Sequence, residues 1–206
     1  MELDKDLAAR QEARNLCRRA EEAQRILGAF PQEKLDAIME AVAAAFASGA
    51  EELARMAAEE TGFGNAADKT VKNRFASETV AKAIRGMKTV GILEEDPKRR
   101  VWEIGVPVGV IAAIVPSTNP TSTICYKAII ALKSGNAIVF SPHPKALRCS
   151  LAAAKIVAAA AERAGAPAGS VACLTCASMA GCQELMAAPE VRLILATGGP
   201  AMVKEA

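Results

Sequence analysis

Residues 106–127 read VPVGVIAAIVPSTNPTSTICYK, and they give the clearest indication of the fold. Its apolar run, residues 108–115, predicts a buried strand that stops at Pro116. A polar patch rich in turn-forming residues follows at 117–123, and a helical pattern then begins. A strand, a tight polar loop and a helix in this order are typical of a nucleotide site at the carboxyl end of a parallel strand.

The same rhythm continues along the rest of the chain. Near-continuous apolar runs predict further strands, and longer Ala-rich or amphipathic segments predict the helices between them. Four strand–helix repeats of this kind predict an α/β fold with a Rossmann-like parallel sheet and helices on both faces. The predicted strands lie at 108–115, 137–140, 170–174 and 193–196, and the predicted helices lie at 123–133, 145–164, 179–187 and from about Pro200.

The N-terminal part is helical in pattern. Apolar residues recur at spacings of three and four through residues 3–60, with helix stops at Gly28 and Gly49. This pattern divides the chain into a helical N-terminal layer, residues 1–90, and an α/β region, residues 91–206. Further predicted segments are a fourth helix at about 67–86, a charged connector at 94–100 and a short edge strand at 101–104.

The composition is that of an ordinary soluble globular protein, since 51% of the 206 residues are hydrophobic and 23% are charged. A net charge of +2 and an aromatic content of 3% argue against a nucleic-acid partner. No apolar run is long enough to span a membrane, and the charged N-terminus is unlike a secretory signal. The six scattered cysteines do not form a disulfide pattern, and free thiols suit a cytoplasmic location.

Three loops of unusual composition follow predicted strands. They lie at 116–120, 141–144 and 197–200, and each precedes a predicted helix. Pro, Gly, Ser and Asn in any one of them are explained by turns and caps. Because the carboxyl ends of parallel strands meet at one edge of a sheet, the three together favour a nucleotide site. The usual GxGxxG fingerprint is absent, so the kind of nucleotide stays open.

Individual side chains in these segments allow more than one interpretation. Asn119 lies between two prolines, and such a rigid loop is suited to aim an amide at a developing oxyanion, although an Asx-turn or N-cap is the commoner use. His143, the single histidine, is interpreted first as a loop residue, with a cofactor contact or a proton carrier as alternatives. Cys173 and Cys176 have CxxC spacing but no second ligand pair, which favours core thiols over a metal or redox site. We therefore predict no metal site.

Longer words of the sequence resemble a known family. Residues 106–144, including Ser141-Pro142-His143-Pro144, are similar to the CoA-acylating branch of the aldehyde dehydrogenase superfamily. LILATGGPAMVKEA at 193–206 and DKTVKNRFASE at 68–78 resemble the same branch. Ordinary aldehyde dehydrogenases usually carry Lys-Pro-Ala-Glu in place of Ser-Pro-His-Pro, and this difference points to the acylating enzymes.

The resemblance implies a reaction in which an aldehyde, CoA and NAD give an acyl-CoA and NADH through a cysteine thioester. NAD is favoured over NADP because no basic residue at 141–144 awaits a 2′-phosphate. By position, the resemblance implies that Asn119 is the side-chain donor of the oxyanion hole. It implies that the dinucleotide pocket is lined by Ile114, Val115, Pro116, Ser117 and Thr118. It also implies that the adenosine ribose and CoA lie by Ser141, Pro142 and His143, and that the pyrophosphate lies near Thr197, Gly198 and Gly199.

The resemblance also implies that the nucleophilic cysteine belongs to a second, catalytic domain beyond Ala206. None of the six cysteines present matches its motif, and neither Cys125 nor Cys182 has a neighbouring base in the sequence. We therefore expect the chain alone to be inactive, and the complete enzyme to form a homo-oligomer. Two alternatives stay open, a non-catalytic dinucleotide-binding or assembly module and a non-acylating NAD(P)-dependent aldehyde dehydrogenase.

Overall fold

The computed structural model describes residues 4–199, 203, 204 and 206, and its first half is helical. Gly28 and Gly49 directly follow the first two helices, as predicted. None of the helices in the described ranges has both the length and the apolar character needed to cross a membrane. The helices are α1 Lys5–Leu27, α2 Gln32–Ser48, α3 Ala50–Thr61, α4 Ala66–Arg74 and α5 Val80–Ile84, and a π-helix, Phe75–Thr79, joins the last two.

A two-stranded antiparallel hairpin separates these helices from the rest. It consists of β1, Gly91–Asp96, and β2, Val101–Gly105. The predicted edge strand at 101–104 is therefore confirmed, whereas the predicted connector at 94–100 is wrong in its first three residues, which belong to β1. Nearly all hairpin residues are exposed, and β1 has no buried face that would require apolar and polar residues to alternate. Its sequence therefore lacks the pattern by which a strand is predicted.

The second half forms the predicted α/β unit. Its four strands are all parallel and lie in the order β5-β4-β3-β6. The elements are β3 Val110–Val115, α6 Pro120–Lys133, β4 Ala137–Pro142, α7 Leu147–Arg163, β5 Val171–Cys173, α8 Met179–Ala187 and β6 Val191–Leu195. The last predicted helix, from about Pro200, starts on residues outside the described ones.

Several boundaries differ from the prediction, and two of these differences have a local explanation. β3 begins at Val110 and not at residue 108, because Gly109 has a φ of 126° and donates its N–H to the Asn136 side chain at 2.9 Å. α6 begins at Pro120 and not at residue 123, since proline has the φ of a first helical residue and needs no hydrogen-bond acceptor there.

The sheet is covered by helices on both faces, as predicted. On one face, Ile111, Ala113 and Phe140 join a core with residues of α2, α6 and α7. On the other face, Ala112 and Val139 pack with residues of α1 and α8. Every residue of β3 and β4 is buried, so the side chains alternate between two apolar layers. This rigid sheet fixes the positions of the loops at its carboxyl edge.

Candidate functional site

A cavity of about 940 Å³ opens at the carboxyl edge of the sheet. The ends of β3, β4 and β6 all contribute to it, so the three loops singled out in the sequence lie together. The structure brings all twelve predicted site residues into its wall: Ile114, Val115, Pro116, Ser117, Thr118, Asn119, Ser141, Pro142, His143, Thr197, Gly198 and Gly199.

The wall contains five further residues beyond these twelve. Three of them, Ser178, Met179 and Cys182, lie at the start of α8. Ser178 caps this helix, since its Oγ accepts a hydrogen bond from the Gly181 N–H at 3.0 Å. The remaining additions are Thr123 and Pro144. The Ser-x-x-Gly start of α8 resembles any capped helix, so the sequence offers no signal that this end faces the cavity.

The ends of β3 and β6 are joined by Lys127 of α6. Its side chain is 1% exposed, and its Nζ donates to the carbonyl oxygens of Ile114 at 2.8 Å and Leu195 at 2.5 Å. It also donates to Thr197 Oγ1 at 3.1 Å, and Thr197 in turn donates to the Ile114 carbonyl at 2.9 Å. Burial lowers the pKa of Lys127 to about 8. Lys127 therefore holds Thr197, the residue directly before Gly198 and Gly199, against the sheet.

Asn119 occupies the N-cap position of α6 without capping the helix. Its Oδ1 instead accepts a hydrogen bond from Lys72 Nζ on α4 at 3.0 Å. Within the residues that the structure describes, its Nδ2 donates to no protein acceptor, and the residue lines the cavity. The ordinary explanation of Asn119 as a helix cap is therefore wrong, and an amide donor is left at the cavity wall.

His143, interpreted first as a loop residue, makes a local side-chain hydrogen bond directly after β4. Its Nδ1 accepts a hydrogen bond from the Lys145 N–H at 3.1 Å, which caps the short 3₁₀ helix Pro144–Ala146 before α7. Ser141 and Pro142 are the last residues of β4 and pair in register with Ile114 and Val115. A loop function for His143 is thus compatible with its place in the cavity wall.

The thiols are poorly suited to nucleophilic chemistry. Burial raises the pKa of Cys125, and it raises the pKa of Cys173 to about 12. Cys182 is the one thiol in the cavity wall among the described residues, and burial raises its pKa against the opposing effect of a hydrogen bond with Ser141. Cys176, like Cys173, is half-buried, which agrees with structural thiols rather than a surface redox pair.

Comparison with known proteins gives a consistent result. Residues 4–205 match the aldehyde dehydrogenase family. The bifunctional aldehyde-alcohol dehydrogenase AdhE of Escherichia coli is 46% identical over 191 residues, which are 93% of this chain and 21% of that protein.

Two solved structures have the same fold. The acetylating aldehyde dehydrogenase of Geobacillus thermoglucosidasius superposes with a TM-score of 0.98 at 53% identity, covering 100% of this chain and 45% of the other. The propionaldehyde dehydrogenase of Rhodopseudomonas palustris with bound propionyl-CoA superposes with a TM-score of 0.80 at 32% identity, covering 94% of this chain and 42% of the other. The chain thus spans less than half of either structure.

Proposed function

The chain belongs to the aldehyde dehydrogenase family, and from that premise we propose that it is the NAD-binding part of an enzyme that interconverts an aldehyde, CoA and NAD with an acyl-CoA and NADH. The observation that carries the proposal is the cavity at the carboxyl ends of β3, β4 and β6, where three separate loops converge. The CoA-dependent form of the reaction is supported by the similarity to an acetylating enzyme and to one that holds propionyl-CoA. Residues 1–90 and 91–206 then form one cofactor-binding domain.

The cavity suits a dinucleotide in size and lining. Its volume of about 940 Å³ lies at the upper end of the range for small-molecule and cofactor sites. Gly199 lines it, and a Cβ built on Gly199 would meet no atom of the described residues within 4 Å, its chain neighbours apart. The backbone there is open to close approach, which a pyrophosphate requires. The adenosine ribose is proposed to lie by Ser141 and His143, the end at which CoA would also bind.

The chain's own contribution to the chemistry is to bind, orient and polarise. NAD, when bound, accepts the hydride that leaves the aldehyde carbon. The Nδ2 of Asn119 is proposed to donate a hydrogen bond to the aldehyde oxygen as negative charge develops on it, which is the task of an oxyanion hole. Lys127 holds Thr197 to the end of β3, and a cofactor bound beside the two glycines that follow would thereby be oriented relative to Asn119.

The nucleophile is proposed to come from outside this chain. The reaction needs a thiolate, and burial raises the pKa of five thiols, those of Cys17, Cys125, Cys149, Cys173 and Cys182. The sixth, Cys176, does not line the cavity. The isolated chain is therefore expected to bind the cofactor without turning over an aldehyde.

A role in assembly is favoured by one further observation. The hairpin of β1 and β2 exposes Trp102 and Ile104 at 58% and 57%, and the neighbouring Ile92 at 43%. A two-stranded hairpin is marginally stable alone, and exposed apolar residues on it mark an interaction surface. We propose that it contacts another copy of the protein in a homo-oligomer.

The cofactor site is tested by titrating the chain with NADH and following its fluorescence. Saturable binding is expected, and Gly199→Val is expected to weaken it about tenfold or more, because the side chain would fill the space beside the pyrophosphate. Gly86→Val is the matched control, since a Cβ on Gly86 also meets nothing within 4 Å but lies outside the cavity.

Binding that does not saturate, or that is equally strong in both variants, would contradict the site.

The CoA requirement separates the two kinds of dehydrogenase. In the complete enzyme, acyl-CoA should form from aldehyde and NAD only when CoA is present. Equal NADH formation with and without CoA, accompanied by free carboxylate, would instead identify the non-acylating alternative.

A further inference from the structure

Helix α4 holds the loop before α6, together with the first turn of α6, at three points. Lys69 Nζ donates to the carbonyl oxygen of Thr118 at 2.7 Å, and Lys72 Nζ donates to Asn119 Oδ1 at 3.0 Å. Thr121 Oγ1 donates to the Asn73 side chain at 2.8 Å. Each contact joins residues that lie nearly fifty positions apart in the sequence, so α4 acts on this loop as a clamp.

The clamp is itself anchored to the core. Asn73 is 1% exposed, and its Nδ2 donates to the carbonyl oxygen of Ala50 on α3 at 2.9 Å. Lys69 is 5% exposed, and burial lowers its pKa, with the charge of Lys72 acting in the same direction. The π-helix Phe75–Thr79 follows α4 directly, and π-helical turns frequently lie beside functional sites. The position of Lys72 over Asn119 is therefore set by buried neighbours.

The chemistry of the contact decides which way the Asn119 amide faces. A lysine ammonium group has three donors and no acceptor, so it binds Oδ1 and never Nδ2. Resting on the proposed oxyanion role of Asn119, we infer that Lys72 is a positioning residue that fixes this amide with its N–H₂ group towards the cavity. Lys72 is not among the residues that line the cavity, so it would act through Asn119.

The Asn119 side chain has an alternative orientation, that of a helix N-cap, and Lys72 is needed to prevent it. An N-cap asparagine ordinarily turns its oxygen to the free N–H groups of the first helical turn, here those of Thr121 and Ser122. Asn119 stands at this position, and yet no side-chain cap forms. Without the ammonium group, the oxygen is expected to turn to the α6 amides and withdraw the amide from the cavity. Loss of Lys72 should then lower activity while leaving the fold as stable as before.

The test is a double-mutant cycle in the complete enzyme, with Lys72→Met, Asn119→Ala and the pair together. Removing an oxyanion donor typically costs about 10²–10³ in kcat, and Lys72→Met is expected to cost about tenfold to a hundredfold. In the Asn119→Ala background, Lys72→Met should change kcat little, because its effect passes through Asn119. The KM for NAD and the thermal unfolding midpoint should stay unchanged in Lys72→Met.

Two further variants separate positioning from a general loss of charge. Lys72→Arg keeps a donor for Oδ1 and should retain most of the activity. Lys82→Met removes another exposed lysine of the same helical region, one turn beyond the π-helix, and should be fully active. A crystal structure of Lys72→Met is expected to show Asn119 Oδ1 accepting from an α6 backbone N–H.

Each alternative outcome has a distinct meaning. A fully active Asn119→Ala enzyme would refute the oxyanion role, and with it the proposed use of this site. If Lys72→Met were fully active while Asn119→Ala had lost activity, the positioning role of Lys72 would be refuted and the oxyanion role of Asn119 would stand. An equal loss from Lys72→Met in both backgrounds, or a parallel loss of stability and NADH binding, would likewise refute action through Asn119.

Discussion

Lys127 is a lysine almost without solvent contact, and no carboxylate within the described part of the chain pairs with it. Its Nζ has three oxygen neighbours, on Ile114, Leu195 and Thr197, and burial lowers its pKa to about 8. Neutral hydrogen-bond acceptors stabilise an ammonium group less than a carboxylate does, so the folded state favours the uncharged amine relative to the unfolded chain. The stability of the sheet edge should therefore depend on pH.

The direction of this dependence follows from proton binding. Between pH 8 and the ordinary lysine pKa of 10.5, the unfolded chain holds a proton on Lys127 that the folded chain has lost. The contribution of Lys127 to the free energy of unfolding therefore rises with pH across this window, by up to about 3 kcal/mol. We expect wild type to gain stability relative to Lys127→Met when urea denaturation is compared at pH 7 and pH 10.

Other groups that titrate in this range, such as the buried cysteines, contribute equally to the free energy of unfolding of wild type and variant. Their contribution therefore cancels in the comparison. Lys82→Met serves as a control for the removal of a lysine that is exposed. A difference between wild type and Lys127→Met that stays constant with pH would mean that Lys127 keeps its proton in the folded protein.

The sequence located the cavity wall better than it located its supports. The loops at 116–120, 141–144 and 197–200 are visible because turn-forming residues directly follow apolar strands. The supporting roles of Lys72 and Lys127 could not be predicted from the sequence, because a lysine in a helical pattern is normally a surface residue. Their contacts with Asn119 and with the strand carbonyls depend on tertiary packing, which local patterns do not contain.

At the scale of elements, α7 begins beside the cavity but its N-terminus is already occupied. Glu60 of α3 accepts hydrogen bonds from the backbone N–H groups of Arg148 at 2.8 Å and Cys149 at 2.7 Å. A carboxylate in this place satisfies the free amides and interacts favourably with the helix dipole. The cofactor phosphates are therefore expected to use the Gly198–Gly199 loop and not the start of α7.

Replacing this carboxylate tests the cap. Glu60→Ala is expected to lower the free energy of unfolding by about 1–2 kcal/mol in urea denaturation, because two backbone donors lose their acceptor. Glu59→Ala is the matched control, since Glu59 is exposed and its ion pair with Arg55 lies at the surface, so that its loss costs at most about 0.5 kcal/mol. The affinity for NADH should be unchanged in both variants. Equal stability of the two would show that Glu60 does not cap α7.

Elements with buried faces were predictable, and elements defined by long-range partners were not. β3 and β4 carry continuous apolar runs because both of their faces are buried. β1 has almost no buried residue, and its existence depends on pairing with β2 rather than on its own composition. In the same way, nothing local distinguishes Glu60 from Glu59, although only Glu60 reaches another helix.

At the scale of the whole molecule, two apolar layers enclose the sheet and leave the hairpin outside both. One layer includes Phe46 and Phe140, the other includes Leu174 and Leu185, and no hairpin residue belongs to either. The hairpin pairs with itself, with Ile92 opposite Ile104 and Glu95 opposite Trp102. Exposed apolar residues on a strand pair with open edges favour contact with another chain.

We therefore expect Trp102→Asp to weaken association of the complete enzyme without affecting the cofactor site. The charge would be placed in the apolar contact, and burying it there would cost several kcal/mol of association free energy, roughly as for other unpaired charges. Light scattering after gel filtration should show a smaller particle, while NADH affinity stays unchanged. Leu7→Asp is the control, because Leu7 is equally exposed, at 59%, but lies on α1. If Trp102→Asp kept the mass of the wild-type particle, the hairpin would not be the contact between copies, and its apolar residues would have to serve another surface of the same enzyme.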